Sequence, residues 1–474
     1  MKNLIFILGA TLFITTTAFS QKKWSLEECV NYAREKNLII KQADINIESA
    51  EVDLKAARWS RLPNLSASSA FNYNFGRNID PTTNDFVPTN AGFNTWNISS
   101  NMPIYSGGRI ETSIEQARLT MQEANIRKQQ TSNDVALDVV IAYLNILFEN
   151  ERLNNNRQQL ALAQQNLDRM LKMIDAETAA PNDRYDLDAQ VATNEQNVIA
   201  SENNIAQALI NLKNLLQIDP AEPFDIVRPT ISIPPVDPTS YTFEEVYARS
   251  LETQPSVAAD DLMLRRIEKS IDMAKATYLP TFGIGVGLSS NYSTLAKSVG
   301  GYTTKYIDQT VIIDNNPITV QFPSPEAVDV TNTPYFNQIN QNLGLGAGVQ
   351  LNIPIFSRGQ KTTDIRQAEL QVENTRLNIE QNRNNLKVTV QNAVADAKAA
   401  QKAYQASEKT LNALQVAYDN TNRRYELGAA NNYELLESKN RLEQGTNNFS
   451  IAKFDYLFKL KVVDYYLGKP LKLD

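Results

Sequence analysis

The side chains that could do chemistry in this chain are few. It has no histidine and a single cysteine, Cys29. That removes imidazole bases, histidine-based triads and the commonest metal ligand, and no nucleophile–base pair can be read elsewhere. Cys29 has no partner for an intramolecular disulfide and reads as a small packing residue. One cluster of residues has informative spacing. Gly428 ends a long helical pattern, where glycine is the natural left-handed cap. Asn431 or Asn432 then caps a return helix. Glu434 and Glu437 stand three apart, on one face of its first turn, where the helix dipole favours acids by about 0.3–1 kcal/mol. Acids placed so act electrostatically and not covalently. No catalytic residue, cofactor or metal site is expected.

The chain start is an export address. Lys2 is followed by a short apolar run, Leu4 to Phe13, and Ala18-Phe19-Ser20 puts small residues at −3 and −1 before Gln21. Residues 1–20 therefore read as a cleaved secretory signal peptide. No later stretch reads as a membrane-spanning helix, which needs about 20 apolar residues. The net charge of −7 argues against nucleic-acid binding.

The elements carrying the polar cluster come in two copies. Ser25-Leu26-Glu27-Glu28 recurs as Thr242-Phe243-Glu244-Glu245, and Leu62-Pro63 as Leu279-Pro280, both at offset 217. Both openings are capping boxes. Pro103-Ile104-Tyr105-Ser106 recurs as Pro354-Ile355-Phe356-Ser357, and Gly108 as Gly359, now at offset 251. A first repeat is expected over 21–217, with helix 25–61, strands 64–75 and 94–104, and helices 109–175 and 183–217. A proline-rich linker, 218–240, leads to a second repeat, 241–467. Its elements are helix 243–278, strands 282–292 and 343–353, and helices 360–427 and 432–466. A tail, 468–474, closes the chain.

The strands alternate between apolar and small or polar residues without a charge, as transmembrane barrel strands do. Ile98, Val286, Leu345 and Val349 are expected to face lipid. Asn72, Asn97, Gly285, Gly346 and Gln350 are expected to face a lumen. Phe75, Trp96 and Tyr292 mark the loop end and Tyr105, Phe282 and Phe356 the helix end. Four strands cannot close, and open edges are not tolerated in lipid. Two copies give eight strands, filled by their own side chains; three give twelve and a lumen. Segments 76–92 and 293–341 read as outward-facing loops. The two longest helices span roughly 100 Å each at 1.5 Å per residue. Their seams are heptad-like, as in Ile365, Val372, Ile379, Leu386 and Ala393. Val135 to Phe148 is apolar nearly all round and reads as buried. The fold class is thus mixed: all-α plus a transmembrane β-barrel, internally duplicated, continued by a helical coiled-coil barrel.

These features together resemble the TolC-type outer-membrane efflux protein family. The match rests on the openings at 24–28 and 241–245, the Leu-Pro pairs and the Pro-Ile-Tyr-Ser-Gly-Gly and Pro-Ile-Phe-Ser-Arg-Gly strand exits. It also rests on Arg424-Tyr425-Glu426-Leu427-Gly428 followed by Tyr433-Glu434-Leu435-Leu436-Glu437. The resemblance implies a homotrimeric duct in the outer membrane with a large periplasmic portion. It would serve a tripartite efflux pump or a type I secretion system. Its partners would be a periplasmic membrane-fusion adaptor and an inner-membrane transporter of RND or ABC type. It further implies that Tyr425, Gly428, Glu434, Glu437 and Asp188 line a periplasmic entrance, where carboxylates from three copies would select cations. Ala430 stands where some members carry a basic residue, and Glu177-Thr178-Ala179-Ala180-Pro181 lacks the turn glycine. The competing reading is a periplasmic coiled-coil adaptor or scaffold, which the charge-free alternating segments do not suit.

Overall fold

A computed structural model describes residues 23–81, 84–229, 241–313 and 316–470. The expected signal peptide and residues 230–240 of the expected linker lie outside them. The chain divides into two compact units. One comprises residues up to Ala50, Leu119–Arg265 and those from Glu373 on; the other comprises Glu51–Arg118 and Arg266–Val372.

Local chemistry sets the helix starts. Ser25 Oγ accepts the Glu28 N–H (3.2 Å) and Glu28 Oε2 accepts the Ser25 N–H (2.9 Å). This capping box opens α1, Leu26–Lys36. Thr242 and Glu245 repeat it at the start of α5, Phe243–Thr253. Where the sequence suggested one helix over 25–61, the chain makes two. Asn37 turns extended (ψ 132°), its Oδ1 accepts the Ile39 N–H and its Nδ2 donates to the Leu215 carbonyl. A new helix, α2, then runs Leu38–Trp59. The helix expected over 243–278 breaks likewise at Gln254, the residue before Pro255, where helical geometry is disfavoured. There α6, Pro255–Ala276, begins. In both cases a buried amide wins over unbroken apolar periodicity.

The second unit holds a four-stranded sheet of β2 (Ser66–Asn74), β5 (Ala91–Tyr105), β7 (Thr281–Ser293) and β10 (Gly344–Asn352). The order is β10-β7-β5-β2, and every pairing is antiparallel. The segments expected as loops carry structure of their own. Between β2 and β5 lies a short hairpin, β3 (Asn78–Ile79) with β4 (Phe86–Val87). Between β7 and β10 lies a long one, β8 (Lys297–Ile313) with β9 (Asn316–Asn332), then the helix α7, Tyr335–Gln341. Pro317, Pro323 and Pro325 share one parity along β9. Their missing N–H groups therefore fall on its outer edge and blunt strand addition there.

The helical elements are α3 (Arg109–Asp175), α4 (Asp183–Leu216), α8 (Gln360–Glu426) and α9 (Asn432–Tyr466). The largest core of the first unit gathers Val135, Val139, Val140, Tyr143, Leu144 and Leu147 of α3. Around them pack Cys29 and Ala33 of α1, Leu212 of α4 and Leu457 of α9. By composition α3 is apolar and long enough to cross a membrane, which corrects the sequence reading that no such stretch follows the leader; these core residues explain that apolarity. The linker reading also needs correcting at its start. Asp225–Ile226 forms β6, which pairs parallel with β1, Lys23–Trp24. Phe224 and Ile226 are buried, and the Tyr143 hydroxyl donates to the Val227 carbonyl.

Candidate functional site

The return between α8 and α9 is built from its backbone outward. Ala429 N–H reaches the Arg424 carbonyl (2.7 Å) and Gly428 N–H the Tyr425 carbonyl (3.0 Å). Gly428 is left-handed at φ 70°. This is a Schellman cap, and glycine takes its left-handed position without a Cβ clash. Asn431 Oδ1 accepts the Glu434 N–H (2.9 Å) and starts α9. The acids therefore emerge where their spacing implied. They do not stand alone. Arg424 donates to the Ala429 carbonyl (3.1 Å) and to Glu434 (3.3 Å), so one guanidinium ties the turn to the first acid. Arg441 holds Glu437 one helical turn further on. Tyr425 is half-buried and contributes its carbonyl to the cap. Sequence reasoning missed both arginines as partners. The i,i+4 spacing of Glu437 and Arg441 was a usable signal; the link from Arg424 to Glu434, across a turn, was not.

The return between α3 and α4 has the same cap without the glycine. Thr178 N–H reaches the Met173 carbonyl and Glu177 N–H the Ile174 carbonyl, with Glu177 at φ 58°. Asp188 is exposed near the start of α4. Further along α9, Lys439 is only 2 % exposed, and its ammonium lies 3.6 Å from Glu443. Burial pushes the Lys439 ammonium down and the Glu443 carboxyl up from their usual ranges.

In the sheet, the register sorts the expected faces into rows. Ala67, Ile98, Leu288 and Leu345 lie side by side across four strands; Met102, Ile284 and Val349 form another such row, and Ser100, Val286 and Ala347 a third. On the opposite face stand Ser68, Asn97, Ser289 and Gly344, then Ser66, Ser99, Gly287 and Gly346, then Asn101, Gly285 and Gly348. Gln350 lies opposite Gly283, and Asn72 opposite Phe93. Gly285 is not open space: a Cβ there would meet Asn101 Oδ1 at 2.7 Å, whereas Gly346 and Gly348 have nothing within 4 Å.

The family described as outer membrane efflux protein matches residues 29–216 and 246–460. The chain belongs to that family. Among its members, TolC of Escherichia coli K12 is 24 % identical over 46 % of this chain and 47 % of its own length. The chain thus spans about half the length of that relative. TolC of Vibrio cholerae is 18 % identical over 99 % of the chain and 96 % of its own length. The folds agree: the CusC channel superposes with a TM-score of 0.73 at 14 % identity, over 94 % of this chain and 92 % of its own. The CmeC outer membrane channel of Campylobacter jejuni gives 0.73 at 14 %, over 95 % and 87 %. The helix-and-sheet architecture of this outer membrane efflux protein is therefore that of solved channels.

Proposed function

We propose that this outer-membrane efflux protein is a passive duct, in which three copies close a twelve-stranded barrel in the outer membrane. The helices of two internal repeats, residues 21–217 and 241–467, continue the channel into the periplasm. An inner-membrane transporter and a periplasmic adaptor supply energy and docking, in a tripartite efflux pump or a type I secretion system. AprF of Pseudomonas aeruginosa, 20 % identical over 87 % of this chain, is described as an alkaline protease secretion protein, which supports the second partnership.

The observation that carries this reading is the pair of sheet edges. β2 and β10 contain no charge and no proline, and every one of their residues is exposed. β9, by contrast, carries three prolines on its outer edge. Protection against strand addition is thus present on the hairpin and absent from the sheet. Because all three pairings are antiparallel, β10 runs opposite to β2 and can pair with the β2 of another copy without reversing the pattern. Helix burial supports the same reading. Leu119 and Ala276 are 7 % and 5 % exposed, whereas their repeat counterparts Leu370 and Trp59 are 47 % and 67 % exposed. α8 and α2 thus lack within one chain the cover that their counterparts have. Light scattering in detergent tests the reading: a trimer is expected, and a monodisperse monomer or dimer overturns it.

A further inference from the structure

The helix α7 lies on the same face of the sheet as the apolar rows. The Tyr335 hydroxyl meets Trp96 Nε1 at 2.7 Å and Asn94 Oδ1 at 2.6 Å, and its ring packs on Tyr292 with centroids 4.8 Å apart. Ser290 Oγ donates to the Ile339 carbonyl (2.7 Å). Buried Gln338 fixes the other side, accepting the Ser293 N–H and donating to the Ser293 and Thr333 carbonyls. Strand parity puts Asn94 and Trp96 on the face of Ile98, and Ser290 and Tyr292 on the face of Val286 and Leu288. Along that face the residues change from apolar, at the row of Ile98, Leu288 and Leu345, to hydrogen-bonding, at Trp96 opposite Ser290 and Asn94 opposite Tyr292. α7 sits at this change. Its Phe336 projects outward, 81 % exposed.

We propose that α7 is an interfacial collar on the outer wall of the barrel, seated in the headgroup zone of the outer leaflet, with Phe336 as its lipid-inserted anchor. The proposal rests on the reading of the sheet as a membrane barrel. What covers the collar follows from continuity: the surface beneath α7 is the same wall that faces acyl chains one row further in. Aromatic side chains with one polar end concentrate at that depth because a ring prefers the boundary to either water or hydrocarbon. Here Trp96 Nε1–H donates to the Tyr335 hydroxyl, which donates in turn to Asn94 Oδ1, so both rings can sit at the boundary with no donor left over. On β5 and β7 the collar marks where the apolar row ends, at Trp96 opposite Ser290.

Nitroxide side chains test this in trimers reconstituted into phosphatidylcholine vesicles. Phe336→Cys, Val286→Cys and Tyr302→Cys are labelled singly, and collision with dissolved oxygen is compared with collision with a water-soluble nickel chelate. Cys29 can stay in place, because it is fully buried and burial pushes its thiol up to about 12. Phe336 makes none of the hydrogen bonds that dock α7, so its replacement leaves the helix seated. The expected result is nickel contact at 336 severalfold below that at 302, with an oxygen-to-nickel ratio between those at 302 and 286. Nickel contact at 336 equal to that at 302, with 286 still oxygen-rich, overturns the collar and leaves the barrel standing. Nickel contact at 286 equal to that at 302 overturns both.

Discussion

At the residue scale, the two helix returns pose the same conformational problem with different side chains. Gly428 and Glu177 both stand in the left-handed region at the end of a long helix. A Cβ in that region costs on the order of 1–2 kcal/mol, a cost that Glu177 already carries and Gly428 avoids. Gly428→Ala should therefore destabilise its turn by about 1 kcal/mol, while Glu177→Ala should change its own turn little. Hydrogen exchange of the amides at 425–435 and 174–185 reads the two effects separately; equal loss of protection at both would remove the glycine argument. The acids of the α9 start carry a second expectation. Each is matched by an arginine in the same chain, so the carboxylate charge at the proposed entrance is partly neutralised. Glu434→Ala with Glu437→Ala should lower cation selectivity in planar bilayers. Arg424→Gln with Arg441→Gln should raise it, read as the shift in reversal potential across a salt gradient. Selectivity unmoved by both double variants would leave these groups as parts of the helix start alone.

At the element scale, the strands and long helices were legible because their periods are simple. The alternation around Ile98, Val286 and Leu345 marked β5, β7 and β10. Gly428 and Pro63 marked ends through backbone rules that hold in any context. What was not legible depended on partners far along the chain. Asn37 breaks its helix by bonding to Leu215, and β6 exists because Lys23 and Trp24 lie beside it. The β8–β9 hairpin hid because its residues alternate poorly by type, with prolines that argue against a strand until one knows they lie on an edge. Two measurements belong here. Arg at Leu345 should cost about 2–4 kcal/mol if that side meets the bilayer midplane, and Arg at Gly346 far less. Gly346 is the better control than Gly285, whose Cβ would strike Asn101. Equal yields of folded trimer from both variants would reverse the face assignment. In α9, Lys439→Met should cost roughly 3 kcal/mol or more by leaving the Glu443 charge buried, whereas Lys439→Met with Glu443→Leu should be neutral or stabilising. The order of melting temperatures tests this: a double variant melting well below the unsubstituted protein would show the pair to be stabilising in itself.

At the scale of the whole molecule, the proposed orientation is testable on cells. An epitope inserted near Thr304, in the β8–β9 hairpin, should be reachable from outside. One at Asn431, in the α8–α9 return, should be reachable only after the outer membrane is permeabilised. The reverse pattern would overturn the topology. The bare edges of β2 and β10 carry a consequence for how such a molecule comes into being. In the proposed duct, a lone copy exposes two unguarded strand edges that invite pairing with whatever strand is nearest, so the single chain is expected to be a transient species. Its conversion depends on meeting its own kind. Assembly should therefore follow a rate law of order greater than one in chain concentration. Slow synthesis should lengthen the life of the unpaired copy and leave more of it to proteolysis. Yield of the finished duct should then fall more steeply than the amount of chain made.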